Sequence, residues 1–230
     1  MERDRKIRVC PDGPYEVTGN ITVKQAFIVP DAENQSEAWR DGKTYENPDD
    51  TYHLCRCGHS HQKPYCDGSH LSMKFDGTEK ASHAKYDENA KRYRGESVDM
   101  LDNKEFCAVA RFCDRGENAW RMVKKSSDPD LEKLAVYEAC ACPSGRLVIV
   151  GKDGEKIEPK LEQEIGVIQD VAADCKGPLW VKGGIEIQDA NGKTYEVRNR
   201  VTLCRCGEST NMPFCDASHL ECVHMQKLDK

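Results

Sequence analysis

The chain has 230 residues, of which 38% are hydrophobic, 32% charged and only 7% aromatic, a composition too lean for one large apolar core and better suited to several small ones stapled by bound metal. A net charge of −6 without long basic runs excludes a general attraction to nucleic-acid phosphates or anionic lipid. No apolar leader or spanning segment is visible, so the 13 cysteines are read in a soluble, cytoplasmic, reducing context, where metal ligation explains them better than disulfides.

In chain order, Met1 to Lys6 leads into a strand-like stretch. A Gly13-Pro14 turn, an alternating strand from Tyr15, a Gly19-Asn20 turn and a second strand from Ile21 follow. The polar stretch from Pro30 to Asp50 is predicted to be an exposed loop. Residues 75–103 are highly charged and read as a surface-lying connection. Ser127-Asp128-Pro129-Asp130 predicts a helix start, with Leu131, Leu134, Ala135 and Glu138 at helical spacing. Cys142-Pro143 stops that helix, and Arg146 to Val150 reads as a strand. From Gly177 the opening pattern returns: Gly177-Pro178, two strand-like runs, and an Asp189-Ala190-Asn191-Gly192 turn ahead of Thr194 to Val197.

The return is an internal repeat. Leu54-Cys55-Arg56-Cys57-Gly58 recurs as Leu203-Cys204-Arg205-Cys206-Gly207, and Pro64-Tyr65-Cys66-Asp67-Gly68-Ser69-His70 as Pro213-Phe214-Cys215-Asp216-Ala217-Ser218-His219. Each copy therefore presents Cys-x-Cys, eight residues, Cys, three residues and His. The candidate metal ligands are Cys55, Cys57, Cys66 and His70, and Cys204, Cys206, Cys215 and His219. Three thiolates and an imidazole suit zinc or a [2Fe–2S] cluster. Two ligand pairs per copy lean toward two irons, since zinc sites more often close Cys-x-x-Cys knuckles on one ion.

On these residues both copies resemble the CDGSH (NEET) iron–sulfur family. The resemblance implies two [2Fe–2S] clusters, one iron of each held by two Cys and the other by Cys and His, near the surface. It also implies an α+β fold of small β-rich units, with two pseudo-symmetric cluster-binding modules of strands and a short helix. The predicted division is 1–75, a first such domain; 76–104, a charged connector; 105–152, a small ferredoxin-like α+β unit; and 153–230, the second domain. Asp67 and Asp216 are expected to N-cap the helix bearing the histidine. Ala217 replaces the motif's glycine, so no left-handed backbone is expected there.

Cys107 and Cys113, with Ala110 between them and Cys142-Pro143 downstream, echo ferredoxin spacing. The segment resembles a divergent single-cluster ferredoxin-like domain, which implies a third site, [3Fe–4S] or [4Fe–4S], at Cys107, Cys113 and Cys142, with Cys140 as an alternative ligand. Cys10 and Cys175 read as free thiols and Cys222 as packing. His53, His59, His61, His83 and His224 match no ligand spacing and read mostly as solvent-facing, and the three tryptophans read as packing groups.

No nucleophile triad, phosphate loop or dinucleotide fingerprint is present. The expectation is a non-enzymatic protein for one-electron transfer or redox and pH sensing, meeting a redox partner protein. The alternatives are cluster storage and transfer to an apo acceptor, and a structural zinc-binding interaction module. A monomer with an internal pseudo-twofold axis is expected, with no nucleic-acid partner and no membrane span.

Overall fold

The computed structural model describes residues 4–228; residues 1–3, the beginning of the stretch read as leading into the first strand, lie outside them. The first copy supplies β1 (Lys6–Val9), β2 (Tyr15–Thr18), β3 (Thr22–Pro30), β4 (Ser36–Tyr45), β5 (Thr51–Leu54) and the single-turn helix α1 (Ser69–Ser72). The middle of the chain forms α2 (Tyr86–Asn89), β6 (Lys91–Arg94), β7 (Val98–Asp102), α3 (Ala119–Lys124), α4 (Pro129–Ala141), β8 (Leu147–Gly151) and β9 (Lys156–Ile157). The second copy supplies β10 (Glu164–Asp170), β11 (Cys175–Lys182), β12 (Glu186–Gln188) and β13 (Arg200–Leu203). The fold is α+β, built from three small sheets.

The two copies exchange strands. In the first sheet, of order β12-β1-β2-β5, β12 of the second copy lies parallel to β1, with Ile187 opposite Ile7. In the second, of order β13-β11-β10-β3-β4, β3 of the first copy lies parallel to β10, with Val23 opposite Ile165. Strand β3 occupies in one copy the place that β12 occupies in the other. The inward residues of both sheets, among them Val9, Val17, Val23, Val167, Leu179 and Val181, form one core to which each copy contributes. Alternation of buried and partly exposed residues along β2 and β5 fixes which face turns inward.

The stretch from Pro30 to Asp50, expected as an exposed loop, is instead largely a β-hairpin: β4 runs antiparallel to β3. Its sequence is polar because only one face is covered, while Trp39 anchors it. The indole stacks on Phe112 at 5.1 Å and meets Trp180 at a tilt at 4.5 Å, and its Nε1 donates to the Ala141 carbonyl at 2.9 Å. The charged connection is also more ordered than expected. Residues 91–102 form β6 and β7, and β7 is buried along its whole length. The charge belongs to β6, an edge strand, where lysine and arginine discourage further pairing.

The third sheet, of order β6-β7-β8-β9, carries α3 and α4 on one face, where Met122 and Val123 of α3 pack with Met100, Leu147 and Ile149 of the sheet. Helix α4 starts where the sequence predicts. Asp128 accepts from the amides of Asp130 and Leu131, and Pro129 opens the first turn. Its far end is closed from the second copy. The guanidinium of Arg200, 1% exposed, donates to the carbonyls of Ala139 and Cys142 at 2.6 Å each, and pairs with Glu158 at 2.8 Å. A cation at the carbonyl end of a helix satisfies acceptors that have no partner within it.

Candidate metal centres

Each cysteine–histidine segment is laid against the end of its own sheet. After β5, the Cys55 amide donates to the Pro64 carbonyl at 2.8 Å and the Cys66 amide to that of His53 at 2.9 Å. After β13, Cys204 donates to Pro213 and Cys215 to Thr202 at the same distances. The third cysteine is thereby brought beside the first. The thiols of Cys55 and Cys57 are 3.8 Å apart, and those of Cys204 and Cys206 3.5 Å. Cys66 Sγ lies 3.3 Å from Nδ1 of His70, and Cys215 Sγ 3.4 Å from Nδ1 of His219.

These spacings test what the donors can hold. A tetrahedral ion at about 2.3 Å from two thiolates keeps them about 3.8 Å apart. Each copy thus offers two pairs of donors, Cys/Cys and Cys/His, each fitted to one metal. Among the described residues no three His, Cys, Asp or Glu side chains converge on a single ion. Such a set suits a two-metal cluster better than one zinc.

The surrounding loop favours ionisation of one thiol in each copy, while the hydrogen bond to that thiol raises Cys57 and Cys206, and burial raises Cys66 and Cys215. The Cys57 thiol draws that of Cys55 down, aided by the amides of Ser60 and Gly58, and Cys206 does the same for Cys204. Amides of Gly68 and Ala217 point at Cys66 and Cys215, at 3.5 and 3.4 Å. That last contact explains a departure from expectation. Ala217 is left-handed, with φ 75°, as Gly68 is at 87°, because only this turn aims the amide at the sulfur; the conformation costs an alanine about 1–2 kcal/mol. The N-caps are likewise Gly68 and Ala217, without side-chain caps. Asp67 and Asp216 act one residue earlier. Each accepts from the amide and hydroxyl of the following serine at 3.0 and 2.6 Å, and from the amide of His61 or Thr210.

Two residues with a structural part in both sites were not singled out in the sequence. Arg56 is buried, donating to the carbonyls of Gly13, Gly77 and Cys10, and Arg205 donates to those of Gly177 and Ile168. Each arginine ties the Cys-x-Cys loop to the Gly-Pro turn of its own copy. Their signal was the repeated Cys-Arg-Cys. His83, expected to face solvent, stacks on Tyr195 at 4.1 Å and pairs with Asp189 at 3.2 Å. The His224 ring lies 2.9 Å from the Cys206 carbonyl and 4.3 Å from the ring of His59. Cys222 is buried with its thiol against Cys206, and Cys10 and Cys175 are free thiols.

In the middle unit, Cys107, Cys113 and Cys142 line one cavity of about 190 Å³, closed by Phe112, Trp120 and Arg146. Arg146 donates to Cys107 Sγ at 3.0 Å while its other nitrogens pair with Asp102 at 2.7 and 3.1 Å. Burial raises the Cys113 thiol well above its ordinary value. Cys140 does not line this cavity; its thiol turns toward the Ile157 carbonyl.

Paired soft donors in two copies, with a third cysteine cavity between them, define an iron–sulfur-binding protein. The family model of the iron-binding zinc finger of CDGSH type matches residues 12–71 and 176–220, and that of the divergent 4Fe-4S mono-cluster matches residues 93–152. The chain thus carries two regions that match the CDGSH type, with a region that matches the divergent mono-cluster between them. Searches of curated proteins and of solved structures give no match. Among the described residues no helix is long and apolar enough to cross a membrane.

Proposed function

We propose that the chain holds two [2Fe–2S] clusters, through Cys55, Cys57, Cys66 and His70 and through Cys204, Cys206, Cys215 and His219, and serves as a one-electron carrier rather than an enzyme. The observation that carries this reading is the separation of each donor set into two pairs at metal-bridging distance. Such a cluster supplies a reversible one-electron couple, and imidazole ligation raises its potential above that of an all-thiolate cluster. The chain's own part is to fix the donors in place and to lower the first thiol of each copy, Cys55 and Cys204. The Cys107, Cys113 and Cys142 cavity is read as a third site, for a cluster of the [4Fe–4S] or [3Fe–4S] type.

Visible absorption, with iron, sulfide and zinc measured on one sample, tests the reading. Red-brown protein with about four irons and four sulfides per chain supports two [2Fe–2S] clusters, and about seven or eight irons adds the middle site. Colourless protein with about two zincs, prepared without oxygen, makes the chain a structural metal module. A second reading, cluster donation, is favoured by the accessibility of His70. Transfer of intact cluster to an apo-ferredoxin, followed by its spectrum, separates donation from electron carriage.

A further inference from the structure

The two copies are alike in their donors and unlike in what covers them. His70 is half-buried and lines an open cleft of about 430 Å³ with Asp12, Leu71, Lys74, Phe75 and Asp76. His219 is 4% exposed, and the void beside it, about 10 Å³, is walled by Ala108, Val109, Ala110, Pro143 and Ile168. Three of these wall residues, Ala108, Val109 and Ala110, lie between Cys107 and Cys113, and Pro143 follows Cys142. The residue after each histidine repeats the contrast: Leu71 is 75% exposed, whereas Leu220 is half-buried. Met73, two residues further on, is also exposed.

We propose that exchange with an external protein takes place on the His70 face alone, and that the His219 face is closed by the chain's own middle unit. The inference rests on the iron–sulfur reading above and adds which copy meets the partner. The chemistry of the face commits to a kind of partner. Leu71 and Met73 form an apolar centre beside His70, and around it the exposed carboxylates of Asp12, Asp67 and Asp76 outnumber the lysines Lys74 and Lys80. An apolar centre with an acidic rim fits a basic one-electron protein whose own redox edge lies in an apolar patch. One electron leaves the reduced chain for each ferric centre that becomes ferrous in such a partner.

Ferricytochrome c, a basic one-electron acceptor, is the probe. Leu71→Glu in the cluster-loaded protein is expected to slow haem reduction about tenfold at high ionic strength, where the added charge is screened and the loss of a central apolar contact is what is read. Val171→Glu, at the turn following Asp170 on the His219 side, leaves the rate within about twofold. A second readout needs no partner. A soluble dysprosium chelate is expected to broaden the electron paramagnetic resonance signal of one reduced cluster and spare the other. His70→Cys and His219→Cys, which each move one signal, assign them. Broadening of the His70 signal alone supports the proposal. Equal broadening of both signals, or equal slowing by Leu71→Glu and Val171→Glu, overturns it. Absence of both signals would defeat the iron–sulfur reading instead, so the two failures are distinct.

Discussion

The Tyr15 hydroxyl, on a strand of the first copy, donates to the carbonyl oxygen of Cys204 in the second at 2.7 Å, with that of Pro213 at 3.1 Å. The ring is fully buried, and the matching position in the second copy is Leu179, so the brace runs one way only. Tyr15→Phe keeps the ring and strands a buried carbonyl. It is expected to cost about 1–3 kcal/mol, read as a shift in denaturant midpoint. An unchanged midpoint would show that the brace carries no stability.

Gly58 and Gly207 allow the two Cys-x-Cys loops to touch. A Cβ on Gly207 would lie 2.7 Å from the Cys57 carbonyl oxygen, and φ there is +83°. Gly207→Ala must push the first copy's loop aside and is expected to lower metal content at both sites. Gly68→Ala is the contrast. Nothing lies within 4 Å of its Cβ position, and Ala217 already holds that conformation in the other copy. It should cost only about 1 kcal/mol and retain full iron. Equal iron loss in both variants would contradict the packing argument.

The middle cavity makes a separate prediction. Cys142→Ser should reduce iron from about eight to about four per chain while the [2Fe–2S] absorption persists. If wild-type protein never exceeds about four irons, the cavity is not a cluster site.

Glu138 gives the stability a pH dependence. It is fully buried on α4, neither carboxylate oxygen has a hydrogen-bond partner, and burial pushes its pKa from 4.5 to about 8. The folded state therefore prefers the neutral acid. Its contribution is fully present below pH 4.5 and is lost as pH rises through about 8. Glu138→Gln removes the ionisation, so the variant should gain about 1–3 kcal/mol on the wild type at pH 8 and match it near pH 5. Parallel stability curves from pH 5 to 9 would refute this.

Much of the candidate site was legible because its chemistry is local. A repeated Cys-x-Cys with a trailing Cys and His names its donors without reference to the fold. The Asp128-Pro129 helix start is legible for the same reason, since capping is settled within one turn. What escaped was decided by distant partners. The hairpin of β4 depends on Trp39 reaching Phe112 and Trp180, and the burial of β7 depends on the helices laid over it. Ala217 misled because propensity argued against a backbone that the thiolate contact imposes. The unequal cover of His70 and His219 is invisible in two motifs that read alike.

The exchange of β3 and β12 bears on how such a chain can be divided. Each sheet is completed by a strand encoded in the opposite half of the gene, so neither half alone encodes a finished sheet. A half expressed by itself would have to recruit a second molecule of itself to fill the gap. The single polypeptide is built like a covalently joined dimer of unequal halves: one has an open face beside its histidine, while the other leans on the domain inserted between them.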